Sequence, residues 1–310
     1  HQVDIDAMMP RNMYANSDSP NPPNNGTNIG SFADFDKNVD VYDFWRAWHI
    51  GVADSVLYFA DLMKKNYPDM LVGAFYGAYG CTDYFLNGTC GGTVKLLKSK
   101  SIDFLASPSV YENRLNGGYA GQRQPFDSFL INNKMYVVED DTRTHMENDF
   151  YRDKYDVYDM TDTIERMKRD FGRDICINVQ AWWFDQLLGG RRYKHPEIYK
   201  LIERQQKIAK FAYSRDRRKN SEIALIFDEE SAQAVSFKTT RDLIEVTRNY
   251  EIAHIGTPAD EYFHNDMANP DMPSYKLYVF LNTFVLTDEE RKVIINKLKK
   301  DNAVALWVYA

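Results

Sequence analysis

The sequence predicts an α/β protein made of two units, residues 1–217 and 218–310. Short apolar runs rich in β-branched and aliphatic residues alternate with amphipathic helical patterns, which is typical of parallel β-α units. Polar and aromatic residues follow the strands of the first unit, as they do in an α/β barrel or a doubly wound sheet. With 310 residues, 44% of them hydrophobic, the chain can bury a sizeable core.

The first unit begins with a segment that has no periodicity and continues as strands separated by helices. Residues 1–40 are rich in Asn, Pro, Ser and Gly, which predicts a long loop. From Val41 to Asn66 apolar residues recur at helical spacing and predict a long amphipathic helix. Asp162 and Glu165 form a capping-box pattern that opens a later helix. The four predicted strands are 70–77, 102–107, 134–139 and 174–183, with a short helix at "TVKLLKS".

The second unit repeats this alternation after a basic linker near Arg217. A helix with Pro196 in its first turn leads into the linker. The "TDEE" sequence that begins at Thr287 is a typical helix start. The predicted strands are 222–231, 252–255, 276–282 and 303–310, with a helix over 239–250. This order predicts a second, smaller three-layer α/β unit.

Composition and charge exclude some classes of function. A net charge of −7 argues against a nucleic-acid surface, and the single basic run, "RDRRK" at 215–219, is interpreted as a solvated linker. No apolar run predicts a membrane span, and no signal peptide is recognisable, so we expect a soluble protein of unassigned compartment, cytoplasmic, periplasmic or secreted. Because the chain starts at His1 and stops directly after an apolar strand, we interpret it as an internal fragment.

The motifs predict no cofactor and no metal. The "GTCGGT" run lacks the Lys-Ser/Thr pair of a phosphate-binding loop. The adjacent acids of "EDD" alternate in direction, which disfavours a divalent-metal site with His145. Cys81 and Cys90 flank a loop at a spacing compatible with a disulfide and equally with reduced cysteines. Cys176 is predicted to lie inside the fourth strand.

The stretch "MYVVEDDTRTH" at 135–145 places three carboxylates directly after a strand. A retaining glycosidase needs a nucleophile and an acid/base carboxyl group roughly 5 Å apart, and barrel enzymes carry them at the ends of different strands. Glu139 at the strand end suits the nucleophile. Arg143 can keep a neighbouring carboxylate such as Asp140 ionised by charge pairing. The alternative is that these acids are turn residues or salt-bridge partners.

Further side chains that follow the strands are candidates for substrate binding. The aromatic content of 14% suits sugars, whose C–H faces stack on rings, although an aromatic-rich core would give the same composition. Trp182 and Trp183 point to opposite faces, so at least one could contact a sugar. Asp185 could accept from sugar hydroxyls or cap the next turn, and His145 could donate to a hydroxyl or to Glu139. The remaining predicted binding residues are Tyr76, Tyr111, Arg114, Asp140 and Arg143.

Several ordered segments resemble the glycoside hydrolase family 42 β-galactosidases and their close relatives. They include "DFWRAWHIGVADSVLYFADLMKK", "IDFLASPSVYENRLNGGYAG", "VVEDDTRTH", "AWWFDQLLGG" and "LYVFLNTFVLTDEER". In that family a (β/α)8 barrel precedes an α/β trimerisation domain. The resemblance implies that 1–217 is the C-terminal half of the barrel, strands five to eight. It implies that 218–310 is part of a flavodoxin- or glutamine-amidotransferase-like domain.

The resemblance also implies an activity. The family nucleophile is a glutamate at the end of the seventh barrel strand, where Glu139 stands, and the reaction is retaining hydrolysis of terminal β-galactosides or related sugars. The acid/base glutamate belongs to the fourth strand, upstream of His1, so the chain by itself is expected to be inactive. A homo-oligomer, a trimer in the family, is implied as well. The alternative is a non-catalytic carbohydrate-binding or oligomerisation protein derived from such a barrel.

Overall fold

The computed structural model describes residues 35–77, 91–111, 113–186, 191–216, 220–234 and 241–308. The first unit contains α1 (Phe35–Asn66), β1 (Gly73–Phe75), α2 (Thr93–Lys98), β2 (Phe104–Pro108), α3 (Phe126–Ile131), β3 (Met135–Asp140), α4 (Asp149–Tyr155), α5 (Met160–Ile177), β4 (Gln180–Trp183) and α6 (Pro196–Tyr213). The second contains β5 (Ile223–Phe227), a π-helix (Arg241–Glu251), β6 (Ala259–Phe263), β7 (Leu277–Phe280), α7 (Asp288–Asp301) and β8 (Val304–Trp307), with short 3-10 helices at Ser231–Gln233, Ile252–His254 and His264–Ala268. The predicted mixed α/β class is confirmed.

Each unit is built on a four-stranded parallel sheet. In the first sheet the order β1-β2-β3-β4 follows the chain, and the register aligns Pro108 with Glu139 and Glu139 with Trp182. In the second sheet the order is β6-β5-β7-β8, so the chain reverses its direction across the sheet after β6, as in a doubly wound fold. Because all strands of a sheet are parallel, the residues that follow β2, β3 and β4 meet at one edge.

The start of α5 differs from the prediction. Asp159 is the N-cap, and its side chain accepts a hydrogen bond from the backbone N–H of Asp162. The Asp162 side chain in turn accepts a hydrogen bond from the backbone N–H of Asp159. The predicted capping pair of Asp162 and Glu165 is therefore wrong by one turn. The same pattern of acids three residues apart occurs twice in this segment, and the first occurrence is the one used.

The end of α5 lies later in the chain than predicted, so the fourth strand also begins later. The helix continues through Ile177 and stops at Asn178, whose φ of 66° is left-handed. The strand predicted for 174–183 therefore begins only at Gln180. Cys176 lies in the last helical turn, not in a strand, and is a free, exposed thiol.

The second strand of the second unit was predicted in the wrong place. The "IAHI" run forms a 3-10 helix, and the strand is Ala259–Phe263. The sequence does not predict this strand, because Asp260 and Glu261 interrupt the apolar pattern that a buried strand normally shows. Both side chains are buried. Their burial is tolerated because the Tyr275 hydroxyl donates to Asp260 at 2.7 Å and Arg248 lies 3.3 Å from Glu261. The short helices α3 and α4 were not predicted either, because one or two turns show no periodicity.

The two units share one hydrophobic core. A single cluster of buried side chains contains Leu105 and Phe129 of the first unit together with Phe227 and Phe263 of the second. Backbone groups join across the same surface, for example the N–H of Phe263, which donates to the Ser128 hydroxyl at 2.8 Å. The predicted boundary between residues 217 and 218 lies outside the described residues.

The two edges of the first sheet expose large apolar side chains. On the β1 side, Phe75 is 59% exposed and continues a band along α1 and the following turn. On the β4 side, Phe211 of α6 is 61% exposed. Exposed apolar side chains grouped along one element are typical of faces that pack against other protein. The band consists of Tyr58, Phe59, Leu62, Met63, Tyr67, Met70, Leu71 and Phe75.

The described parts of the chain contain no helix that combines the length and the apolarity needed to span a lipid bilayer.

Candidate functional site

Glu139 lies near the carboxyl end of β3, beside Trp182 of β4. The side chain is 9% exposed. Burial raises the pKa of the Glu139 carboxyl group and the negative charge of Asp141 adds to this effect, whereas a hydrogen bond from the Trp182 side chain opposes it. Carboxyl groups with a raised pKa at the carboxyl edge of a parallel sheet are typical of functional sites.

Asp140 points to the other face of β3, into the layer between the sheet and α5. Arg173 Nη2 is 3.4 Å from Asp140 Oδ1 and 2.9 Å from Asp174 Oδ1. Burial and the charge of Asp174 raise the pKa of Asp140 well above its ordinary value. The structure thus pairs this predicted binding residue with α5, while the strand alternation sends Glu139 to the opposite face.

Asp141 and Arg114 form a buried ion pair that joins two loops. Arg114 Nη1 is 2.6 Å from Asp141 Oδ1, and neither side chain is more than 7% exposed. Arg114 also donates to the backbone oxygens of Val110 at 2.8 Å and Ser109 at 2.9 Å. The loop after β2 is therefore fixed to the loop after β3 by the predicted residue Arg114.

Tyr111 stands between this ion pair and a second arginine. The guanidinium carbons of Arg114 and Arg123 lie 4.5 and 4.7 Å from the centre of its ring. Burial raises the pKa of the Tyr111 hydroxyl, the charges of Asp141 and Glu139 act in the same direction, and the two arginines oppose them. Tyr111 follows the strand residue Pro108, which is aligned with Glu139, so the two side chains lie at the same edge of the sheet.

A second buried ion pair, which no sequence pattern predicts, supports the loop after β3. Arg192 Nε is 2.6 Å from Glu147 Oε1, and both side chains are fully buried. Arg192 also donates to the backbone oxygens of Asp141 and Phe184, which joins the loops after β3 and β4. The predicted residue Arg143 lies 3.5 Å from the Glu147 carboxylate. The only sequence signal for Arg192 was its place in the charged run "GGRRYKH", which looks like exposed surface.

The two tryptophans have different surroundings. Trp182 is 37% exposed and hydrogen-bonds to Glu139, so part of its ring remains open for stacking. Trp183 packs edge to face against Tyr193, with ring centroids 5.8 Å apart. The predicted Asp185 accepts a hydrogen bond at 3.2 Å from a backbone N–H of the loop after β4, which indicates a role in shaping that loop.

Two further predicted residues are held by protein partners. Tyr76 is 1% exposed, and its hydroxyl donates to the backbone oxygen of Gly91 at 2.6 Å. His145 Nδ1 is 2.9 Å from the Thr163 hydroxyl on α5, and burial lowers the pKa of its imidazole. Tyr76 and His145 are thus tied to other parts of the chain, whereas Trp182 and Arg114 are the predicted binding residues that act on the Glu139 carboxyl group. Tyr111 lies beside Arg114, and Arg143 lies beside Glu147 in the adjoining loop.

The described residues contain no group of three or more His, Cys, Asp or Glu side chains arranged to hold a metal ion. Cys81 and Cys90 lie outside the part of the chain that the structure describes. Chemically, the edge offers a carboxyl group with a raised pKa, a partly exposed indole and a ring of arginines. Such a site can bind a polar molecule that has an apolar face, and it can supply one nucleophilic oxygen.

No protein-family model matches this chain, and no curated protein matches it. The functional assignment therefore depends on the residues of the site themselves.

Proposed function

We propose that the chain carries the nucleophile of a retaining glycoside hydrolase of the β-galactosidase type, and that Glu139 is this nucleophile. The observation that supports the proposal most is the environment of Glu139. Its carboxyl group sits near the end of a parallel strand beside a partly exposed tryptophan, and Trp182, Arg114 and Arg192 act against burial to favour its ionised form. Carboxylates of barrel glycosidases occupy strand ends of this kind.

In this mechanism a Glu139 oxygen attacks the anomeric carbon of the sugar while the bond to the leaving group breaks. The leaving group departs with the bonding electrons, and water later hydrolyses the glycosyl ester. The Trp182 hydrogen bond holds the carboxylate in one orientation, and its indole ring offers a face for the C–H groups of the sugar. Tyr111 lies in the loop after β2 beneath Arg114 and Arg123, and the Arg114–Asp141 pair holds this loop to the loop after β3.

We further propose that the first sheet is part of a (β/α)8 barrel, of which its strands are the fifth to the eighth. Consecutive parallel strands in chain order are the arrangement found in such a barrel. The exposed apolar side chains at both edges, such as Phe75 and Phe211, support the packing of further β-α units there. The β6-β5-β7-β8 order supports a flavodoxin-like second domain, to which the proposed trimerisation belongs.

A non-catalytic carbohydrate-binding protein is the second candidate. It is favoured by the ion pairing and burial of the other carboxylates near Glu139 in the described structure. Asp141 is paired with Arg114 and Glu147 with Arg192, and both acids are fully buried. Neither can serve as the acid/base partner across a glycosidic bond, whereas sugar binding requires no second carboxylate.

An activated reagent separates the two candidates. A dinitrophenyl β-glycoside of a fluorinated galactose has a leaving group that departs as the phenolate without protonation, so a nucleophile alone is sufficient. The fluorine slows the later hydrolysis of the ester, so the adduct accumulates. We expect mass spectrometry to find one fluorogalactosyl group on Glu139.

The variant Glu139→Gln is expected to stay unlabelled while its free energy of unfolding changes by no more than about 1 kcal/mol. Glu165→Gln alters an exposed acid of α5 and is the matched control, which should be labelled like the unmodified chain. Labelling of another residue, or unchanged labelling of Glu139→Gln, would contradict the nucleophile assignment. Galactose binding without any labelling would favour the binding protein.

A further inference from the structure

The candidate site contains more positive than negative charges among the described residues. Arg114 lies 2.6 Å from Asp141, and Arg192 lies 2.6 Å from Glu147, so these charges cancel in pairs. The remaining groups are two arginines and one glutamate, which leaves one uncompensated positive charge. The full set consists of Arg114, Arg123, Arg143 and Arg192 against Glu139, Asp141 and Glu147.

Arg123 is the arginine of this set that takes part in no ion pair within the described residues. Its side chain is 4% exposed. Its Nε donates to the backbone oxygen of Ser109 at 3.3 Å, but its Nη2 is buried without a hydrogen-bond partner. Buried guanidinium groups are normally paired with an acid and fully hydrogen-bonded. This side chain therefore lacks a partner that a negatively charged ligand group would supply.

Tyr111 connects Arg123 with the nucleophile. The guanidinium carbon of Arg123 is 4.7 Å from the centre of the Tyr111 ring. Tyr111 in turn follows Pro108 by three residues, and the strand register places Pro108 directly beside Glu139. A sugar that is bound at Glu139 and packed against Tyr111 would direct one of its substituents towards Arg123.

We propose that the sugar bound at this site carries an oxyanion, either a carboxylate or a sulfate ester, and that Arg123 recognises it. The inference rests on the proposed function and narrows the substrate class from galactosides in general to anionic glycosides. The planar guanidinium group presents parallel N–H donors that match two oxygens of a carboxylate or sulfate. One such group would occupy Nη2 and would neutralise the extra positive charge.

Calorimetric titration of the chain with three sugars tests the inference. The probes are D-galactose, D-galacturonate and a sulfated D-galactose, each at low and high salt. We expect one of the two anionic sugars to bind at least about tenfold more tightly than galactose, the effect of one strong charge-assisted hydrogen bond. Which of the two binds more tightly distinguishes the carboxylate from the sulfate. The preference should decrease at high salt.

Variants of Arg123 assign the preference to this side chain. Arg123→Gln is expected to bind the anionic sugar no better than it binds galactose, so that the ratio of the two affinities falls from at least about ten to about one. Arg123→Lys keeps the charge without the paired donors and should retain part of the preference. Arg204→Gln, at an exposed position of α6, is the control and should retain all of it. Should Arg123→Gln fail to fold, the lysine variant and the unmodified chain still decide.

The failure of this inference can be distinguished from the failure of the proposed function. If galactose binds as tightly as both anionic sugars, or if Arg123→Gln keeps the full preference, the inference is overturned. It is also overturned if Glu139 is labelled by the neutral reagent and neither anionic sugar binds. In each of these cases the labelling of Glu139 still supports the glycosidase. A chain that binds no sugar and is not labelled at Glu139 contradicts both proposals.

Discussion

The two parallel sheets have similar sequences at their carboxyl edges but use the acids differently. β3 runs into "EDD" and β5 runs into "DEES". After β3, Asp140 and Asp141 are each paired with an arginine of another element. Among the described residues Glu139 has no such ion pair, and it keeps a raised pKa beside the partly exposed Trp182.

The acids after β5 hold the protein together instead. Glu229 accepts hydrogen bonds from the backbone N–H groups of Thr93 and Val94 at 2.8 and 3.3 Å, so it ties β5 to the start of α2. Asp228 accepts from the backbone N–H and the hydroxyl of Ser231 in its own loop. A strand-terminal acid thus becomes a candidate for chemistry when it lies beside a partly open side chain, as Glu139 does at Trp182, and not when backbone N–H groups occupy it, as they do at Glu229.

The largest expected effect contrasts one ion pair from each edge. Arg114→Met leaves the buried Asp141 with only Arg143, 4.0 Å away, as an ion-pair partner among the described residues, which should lower the free energy of unfolding by about 3 kcal/mol. Arg46→Met removes the partner of Glu230, where both side chains are more than 40% exposed, and should cost no more than about 1 kcal/mol. Urea denaturation measures both values. Equal losses would show that the two edges are electrostatically alike.

The next effect concerns the pH dependence of stability at the second edge. Burial and the charge of Asp228 raise the pKa of Glu229 from 4.5 to about 8. Between these values the folded chain keeps a proton that the unfolded chain has released. The free energy of unfolding should therefore fall as the pH rises from 4.5 to 8, by up to about 1.4 kcal/mol per pH unit.

Glu229→Gln should remove this part of the pH dependence, which denaturation at a series of pH values measures. Glu222→Gln changes an acid that is paired with Lys276 on the surface, and it is the matched control that should leave the profile unchanged. If Glu229→Gln and the unmodified chain give parallel profiles, Glu229 does not titrate in this range, and the contrast between the edges is weaker than described.

The smallest expected effect tests the hydrogen bond to the nucleophile. Trp182→Phe removes a donor that lowers the pKa of Glu139, so that pKa should rise further. Because only the ionised carboxylate attacks, the labelling rate of Glu139 should reach its plateau at a higher pH. Trp183→Phe is the control, since this ring packs against Tyr193 and should leave the pH profile unchanged. Identical profiles for the two variants would exclude the indole hydrogen bond.

Local patterns predicted much of the fold because they reflect local physics. The apolar run of β3 and the helical period of α1 are visible in the sequence, and the structure contains both. The strand at Ala259–Phe263 could not be predicted in this way. Its acids are tolerated because Tyr275 and Arg248 approach from other parts of the chain. A single sequence contains no trace of such partners.

The candidate site was predictable to a similar extent. Strand alternation predicts that Glu139 and Asp140 point to opposite faces, and the structure has them so. The arginines that neutralise the neighbouring acids were not predictable as a group. Arg192 lies in a loop far along the chain from Glu147, and only folding brings the two within 2.6 Å. The ion pairs with arginines determine which acid is left to react with a ligand. The identity of that acid therefore depends on tertiary structure.

The hydrophobic core shared by the two units couples their unfolding. Phe227 and Phe263 of the second unit are fully buried in the same cluster as Leu105 and Phe129 of the first. Separating the units would expose all four side chains to water, so unfolding one unit removes the packing of the other. We therefore expect a single cooperative transition on heating. A protease that cuts the basic "RDRRK" run should leave two fragments that migrate together until a denaturant is added.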